Sequence, residues 1–292
     1  SGTAGGGTVL IGGDYQGANP DVQNAQITYM GPQAQIRADA TQNGDGGRVI
    51  VWADDTTRAY GTISARGGAQ GGDGGFVETS GKKYLDVGAI TVDRSAPAGQ
   101  AGTWLLDPSD VTITQAAENL AGGSFNSYPP GVAFEGATSP AVIHWTTMTT
   151  NLGLGPVIIS TVGSAGSPGD ISFDSAYNYT VNTPNDLWLV ANGNIQIAGH
   201  TLQNSNTGDF KFIAGWTGAS LPGTPWDLNA YDVSGGTGSL LVQSAQVNTL
   251  GSIYVKTASG VTVENTNVAG ITHAQLIGSN VDIDTAGSVR VQ

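Results

Sequence analysis

A unit of strand, glycine turn and strand occurs three times between Ile36 and Asp107, at a nearly constant interval. Ile36-Arg-Ala-Asp-Ala40 leads to Gly44-Asp-Gly-Gly-Arg48-Val-Ile-Val51. Ile63-Ser-Ala-Arg-Gly67 leads to Gly72-Asp-Gly-Gly-Phe76-Val-Glu78. Ile90-Thr-Val-Asp-Arg94 leads to Gly99-Gln-Ala-Gly-Thr103-Trp-Leu-Leu-Asp107. The isoleucines stand 27 apart, and the last glycine before each second strand moves from 47 to 75 to 102. A fixed period of this size means stacked units, none able to bury its apolar face without a neighbour. Ile63, Ala65, Val49, Val51, Val77 and Leu105 lie in short runs of β character, and no helix-period segment separates them. The pattern therefore predicts an all-β parallel β-helix, a solenoid of about a dozen coils rising about 4.8 Å each, near 60 Å long.

Composition narrows the function classes. Glycine accounts for 45 of 292 residues, and charged residues for 11%, under half the usual ~25%. A disordered acidic chain would be rich in charge and poor in β-branched residues, so disorder is a poor reading. The net charge of −13 argues against nucleic acid, where Lys and Arg must neutralise phosphates, and against anionic membrane surfaces. No run of 18 apolar residues is present, so no membrane span is expected. With no cysteine, disulfides, zinc-thiolate sites and cysteine nucleophiles are excluded. The chain opens at Ser1 without a signal peptide, so either a leader has been cleaved or this is an internal fragment, and it closes inside a strand pattern at Gln292, which suits a cut from a longer protein or end-to-end stacking of coils.

The texture changes after Asp107-Pro108. Residues 1–114 read as β-helix coils, 115–155 as an insertion on the side of the solenoid, and 156–292 as resumed coils. Within the insertion, Thr146 to Gly153 has a helical start and stop, with threonine as N-cap and glycine past the end. Trp216 to Tyr231 reads as a second, smaller loop excursion. The coils after 156 repeat a glycine followed by alternating apolar residues, as in Gly193-Asn-Ile-Gln-Ile197 and Gly251-Ser-Ile-Tyr-Val255.

Much of this resembles a known family. Gly6-Gly-Thr-Val-Leu-Ile-Gly-Gly-Asp-Tyr-Gln-Gly17, Gly44 to Thr57, Gly61-Thr-Ile-Ser-Ala-Arg-Gly-Gly68, Gly71 to Gly81 and Gly102-Thr-Trp-Leu-Leu-Asp-Pro-Ser-Asp-Val-Thr-Ile113 are similar to the filamentous-haemagglutinin and high-molecular-weight-adhesin exoproteins of bacterial two-partner secretion. The resemblance covers roughly residues 6–113, is looser from Val157 to Trp216, and is one of texture beyond. It implies a right-handed parallel β-helix, export through an outer-membrane transporter, a place at the bacterial cell surface, and no enzyme activity. The family's secretion domain carries an Asn-Pro-Asn-Gly-type motif, which Ala18-Asn-Pro-Asp21 is not. The chain is therefore expected to be shaft, presenting a site for a host or neighbouring-cell glycan or protein. A subunit that polymerises through its coil ends and a β-helix carbohydrate enzyme are the alternatives.

Few residues suggest chemistry. The Gly-Asp-Gly-Gly turns resemble calcium-binding nonapeptides, but those repeat every nine residues; Asp39, Asp45 and Asp73 are expected to shape turns, with calcium the lesser reading. Asp54-Asp55 reads as a solvated corner. Glu78, Glu118, Glu135 and Glu264 are far apart in the chain, leaving Asp107, Asp110 and Glu118 as the acidic group near the insertion; no catalytic carboxylate pair is expected. His144, His200 and His273 stand singly, so no cofactor or metal is expected. Trp145, Trp188, Trp216 and Trp226 are candidates for stacking on a glycan, and Asn178-Tyr-Thr180 is the one candidate glycosylation triplet.

Overall fold

A computed structural model describes residues 1–116, 141–161, 168–218, 227–265 and 274–292. Its strands form three sets of parallel ladders. Sheet 1 has nine strands, Thr8–Ile11, Arg48–Ala53, Phe76–Gly81, Thr103–Leu106, Val157–Thr161, Leu187–Ala191, Phe210–Ala214, Ile253–Thr257 and Val281–Thr285. Sheet 2 has ten, from Ile27–Met30 at one end to Ser288–Val291 at the other. The third side is split into a three-stranded ladder, Gln35–Arg37, Thr62–Ser64 and Thr91–Asp93, and a four-stranded one from Tyr179–Val181 to Gln275–Ile277. The chain is thus a parallel β-helix, as the repeat predicts.

The period becomes register. Arg48 pairs with Phe76 and Phe76 with Thr103, steps of 28 and 27 residues, and Ile36 pairs with Ile63. The third isoleucine is out of line. Ile63 pairs with Val92 rather than Ile90, because the turn before that strand is longer and passes through Ala89 at φ 54°. At ~4.8 Å per strand the nine-stranded ladder spans about 40 Å. This is shorter than expected because some coils take more residues: 40 separate the partners Thr8 and Arg48, and 53 separate Trp104 and Val157.

Strand alternation places one set of side chains inside. Val49, Val77, Trp104, Val157, Leu187, Phe210 and Ile253 form a column of ladder partners. All seven belong to one buried cluster that runs through the solenoid. The Trp104 indole donates to Thr79 Oγ1 at 3.0 Å, so its one polar atom is satisfied within the core.

One coil breaks chain order. Strand Ala141–His144 lies between Tyr84–Asp86 and Val111–Thr114 in sheet 2, although it follows Val111–Thr114 in sequence. The chain therefore climbs one level at Val111, then returns below it at Ala141. It continues into helix α1, Trp145–Leu152, before rejoining sheet 1 at Val157. The helix fills the gap between the two halves of the third side. Toward the lower half, Asn151 Oδ1 accepts from the Val92 amide at 2.7 Å, Asn151 Nδ2 donates to Ile90 O at 3.0 Å, and Thr147 Oγ1 accepts from the Ala89 amide at 3.1 Å. Toward the upper half, the Trp145 indole donates to Thr180 O at 2.9 Å and Thr183 Oγ1 donates to Leu152 O at 2.8 Å. Side chains thus satisfy sheet-edge groups that another strand would otherwise pair.

Two boundaries need correction. Residues 141–155 belong to the coil stack, so the expected 115–155 insertion is too long at its C-terminal end; 117–140 lie outside the described residues. The helix predicted at Thr146–Gly153 begins at Trp145, with His144 at the N-cap position and no side-chain cap. Among the described residues, no helix is long and apolar enough to cross a membrane.

Candidate functional site

The outer face of sheet 1 is where this coil stack departs from a plain solvent-washed surface. Ile50, Glu78, Leu105, Ile158 and Trp188 are outward-facing ladder partners, and all are buried. They are covered because the chain folds back over them. Trp216, Tyr231 and Val233, from the span between strands Phe210–Ala214 and Ser239–Gln243, pack on Leu105, Ile158, Trp188, Val190 and Ile213. Lower down, the turn Tyr15–Gly17 lies on the same face, with Tyr15 meeting Phe76 edge-on at 5.8 Å between ring centroids.

Beneath that turn lie two carboxylates, Glu78 and Asp107, at 0% and 5% exposure. Gln16 bridges them. Its amide donates to both Glu78 oxygens at 3.3 Å, and its Nε2 donates to Asp107 Oδ2 at 2.5 Å. Gln16 sits at φ 50°, ψ 24°, a left-handed conformation costing a non-glycine residue about 1 kcal/mol. In that conformation its main chain and side chain engage the two acids together. Glu78 is pushed up to about 8 by burial, then by the neighbouring Asp107 charge; Ser80, the Gln16 amide and Arg48 act in the opposite sense. Burial pushes Asp107 up to about 6, against Gln16 and Ser160.

These raised values make stability depend on pH. Between the ordinary carboxyl range near pH 4 and the raised values, the native state binds more protons than the unfolded chain, so stability falls as pH rises and levels off above about pH 8. Glu78→Gln mimics the protonated acid. It is expected to leave the melting temperature nearly unchanged at pH 4 and to raise it at pH 8. Thermal unfolding of both proteins between these limits checks this; parallel Tm curves would refute it.

An open groove of about 450 Å³ lies at the corner leading into sheet 1, lined in part by Gln100, Pro156, Asn185, Asp186, Trp188 and Lys211. Lys211 Nζ pairs with Asp186 and stands 3.1 Å from Asp209. It lies 4.8 Å over the Trp188 ring and 5.5 Å over Tyr254. The lysine charge is thus matched by two carboxylates and braced on aromatic faces. The Gln100 side-chain amide supplies hydrogen-bonding groups of the kind a sugar hydroxyl uses, whereas Asn185 Nδ2 is held by Leu152 O at 2.8 Å.

The expected glycan-stacking surfaces are corrected. Trp145, Trp188 and Trp216 are 2%, 1% and 4% exposed, so their ring faces are not offered to solvent. Trp145 packs edge-on against Tyr179 inside the solenoid, while Trp188 lies under the excursion and Trp216, part of it, packs inward in the same cluster; Trp226 is outside the described residues. Asn178 is exposed, its side-chain oxygen accepting from the Thr201 amide at 2.8 Å.

The turn aspartates bond between coils rather than within their own turns. Asp45 Oδ1 accepts from the Asp73 amide and Asp73 Oδ1 from the Gln100 amide, both at 2.8 Å, each tying its coil to the next. Burial raises the Asp39 pKa, but hydrogen bonds from Arg66 and Ser64 outweigh this and hold it below the ordinary value. Asp55 is ion-paired with Lys83 at 2.8 Å. Asp110 is not grouped with Asp107; it accepts from the Gly169 and Asp170 amides at 2.7 and 2.8 Å.

His144 Nδ1 is 3.1 Å from Ala116 O. His200 is buried beside Phe173 and Tyr179, and burial pulls it down to about 4. His273, Glu118 and Glu135 lie outside the described residues. Among the described residues, no three His, Asp or Glu side chains come together as a metal cluster.

Reading along the chain missed the Glu78–Asp107 pair, because the two are 29 residues apart. The repeat held the signal: a step of 27 sets position 78 beside 105 and position 80 beside 107. Alternation then turns 78, 80, 105 and 107 to the same outer face. Neither known protein families nor curated proteins give a match to this sequence.

Proposed function

We propose that this chain is a non-catalytic, rigid β-helical shaft segment of a secreted bacterial surface adhesin. The supporting observation is the unbroken interior column from Val49 to Ile253, carried by parallel main-chain ladders. Coils are fastened to their neighbours through the long ladders of sheets 1 and 2, so bending requires many bonds to open together. The sequence resemblance of residues 6–113 supports export by a two-partner transporter and display at the cell surface. Contacts between neighbouring coils also suit a chain that folds progressively as it emerges. The groove beside Asn185 and Lys211 is the surface we assign to glycan contact.

Two measurements test this reading. Electron microscopy of the purified chain is expected to show discrete short rods; long fibres would instead favour a self-assembling filament subunit. Export of the parent protein provides the second. Thr180 and Gln203 are exposed partners on adjacent strands in a chain without cysteine, so a T180C/Q203C pair oxidised before export would lock two coils. The locked protein is expected to be secreted at least tenfold less than the reduced one. Equal secretion would defeat the export part of the proposal.

A further inference from the structure

We infer that Asn43–Gly44 is a self-modifying site, where the folded chain closes a succinimide, loses ammonia and reopens with an isoaspartate that loosens the first coil. Ring closure needs an asparagine or aspartate followed by a residue whose amide nitrogen can reach the side-chain carbonyl carbon, and glycine hinders that approach least. The chain has two Asn-Gly pairs, starting at 43 and 192, and two Asp-Gly pairs, starting at 45 and 73. In three of the four the attacking nitrogen is engaged. The Gly46 amide donates to Asp73 O and the Gly74 amide to Gln100 O, both at 2.8 Å, and the Gly193 amide donates to Gly169 O at 2.9 Å. Among the described residues, no acceptor stands in hydrogen-bond geometry to the Gly44 amide.

The two asparagines also differ in how their side chains are held. Asn43 is exposed, and its Nδ2 reaches Gln70 Oε1 at 3.5 Å, the far limit of a hydrogen bond. Asn192 is half-buried, and its Nδ2 donates to Trp216 O at 2.8 Å. The fold itself demands the glycine that makes Asn43 reactive. Gly44 has φ 90°, and a Cβ there would lie 2.4 Å from Ala4 O, so no other residue fits this corner without strain.

The Gly44 nitrogen gives its proton to hydroxide and attacks Asn43 Cγ. The Cγ–Nδ2 bond breaks, and ammonia leaves with a proton from water. Water then opens the ring at one of its two carbonyls. Opening at Cγ gives aspartate; opening at the main-chain carbonyl gives isoaspartate, with the chain running through Cβ and Cγ. Both products add a negative charge, but only isoaspartate lengthens the main chain by a methylene. The first coil is pinned on both sides of this bond: the Asn43 amide donates to Thr3 O at 3.0 Å, and the Gly6 amide donates to Asp45 O at 2.8 Å. An extra methylene between residues 43 and 45 puts these two bonds out of register, so both cannot be kept.

The test uses the whole chain, incubated at pH 8 both folded and unfolded in urea. Peptide mass spectrometry locates the amide-to-acid conversions, and enzymatic methylation measures isoaspartate. In the folded chain Asn43 is expected to convert at least tenfold faster than Asn192, whereas in urea the two rates should converge. Asn43→Gln, whose ring would need six members, is expected to stay intact at that position. Hydrogen exchange reports the loosening. With isoaspartate at 43, the Gly6 amide should exchange at least tenfold faster than in fresh protein, while the Thr103 amide is unchanged; Asn43→Gln incubated in the same way should keep the fresh rate at Gly6. No conversion of Asn43 in the folded chain, or conversion no faster than at Asn192, would overturn the site. Isoaspartate at 43 with Gly6 exchange unchanged would overturn the loosening of the first coil.

Discussion

Gly75→Ala is expected to destabilise the protein by about 4 kcal/mol or more, a loss in the range reserved for severe steric faults, while Gly7→Ala stays within about 0.5 kcal/mol. The two glycines belong to one column at the corner entering sheet 1: Gly7, Gly47, Gly75 and Gly102. A Cβ on Gly47 would lie 2.0 Å from Gly7 O, one on Gly75 2.0 Å from Gly47 O, and one on Gly102 1.9 Å from Gly75 O. The carbonyls cannot move aside. Gly47 O accepts from the Phe76 amide at 3.0 Å and Gly75 O from the Thr103 amide at 3.1 Å. None of Gly47, Gly75 and Gly102 has positive φ, so clearance between stacked backbones, rather than backbone conformation, demands glycine. Gly7 ends the column, and nothing lies within 4 Å of the Cβ it would carry. Urea unfolding of both variants measures the difference. Equal costs would mean that the corners are not stacked this closely.

The same column explains why so much of the fold was legible in the sequence. A position that admits only glycine recurs at 47, 75 and 102, so in these coils the solenoid period is written in one residue type; further up, the same column passes through Asn185 and Ser279. The out-of-order strand left no such mark. Ala141-Val-Ile-His144 reads as an ordinary strand, and its descent below Val111–Thr114 depends on what the third side requires, not on local pattern. Trp188 was misread for a related reason. Alternation correctly turns it outward on sheet 1, but Tyr231, far along the chain, covers it at 5.9 Å between ring centroids. The acid pair fell between these cases: its register was readable, but its burial depended on the Tyr15–Gly17 turn lying on that face.

Arg94→Ala is expected to cost about 3 to 5 kcal/mol, the range for stripping a buried charged group from its partners, and to loosen the junction between the two halves of the third side. Arg94 is 0% exposed. Nη1 donates to Val92 O at 2.7 Å; Nη2 approaches Asn151 O at 2.9 Å, Gly155 O at 2.7 Å and Pro156 O at 3.0 Å. One side chain thus ties the last strand of the lower ladder, the end of α1 and the corner before strand Val157–Thr161. The carbonyl end of α1 carries partial negative charge that a cation offsets. Burial pulls the guanidinium down to about 9, partly countered by Asp93, which still leaves it charged at neutral pH. Arg94→Met separates volume from hydrogen bonding. It restores most of the packing but leaves the carbonyls unpaired, so it is expected to recover only a minor part of the loss. Arg94→Lys keeps the charge but lacks the planar fork that reaches several carbonyls at once, and should also remain well below wild type. Urea unfolding gives the magnitudes. Hydrogen exchange at the Val92 amide, held by Asn151, reports on the junction directly. It should quicken in Arg94→Ala far more than the Thr103 amide, which belongs to the sheet 1 ladder. Equal acceleration at both sites would mean that Arg94 stabilises the stack generally and does not join its two halves.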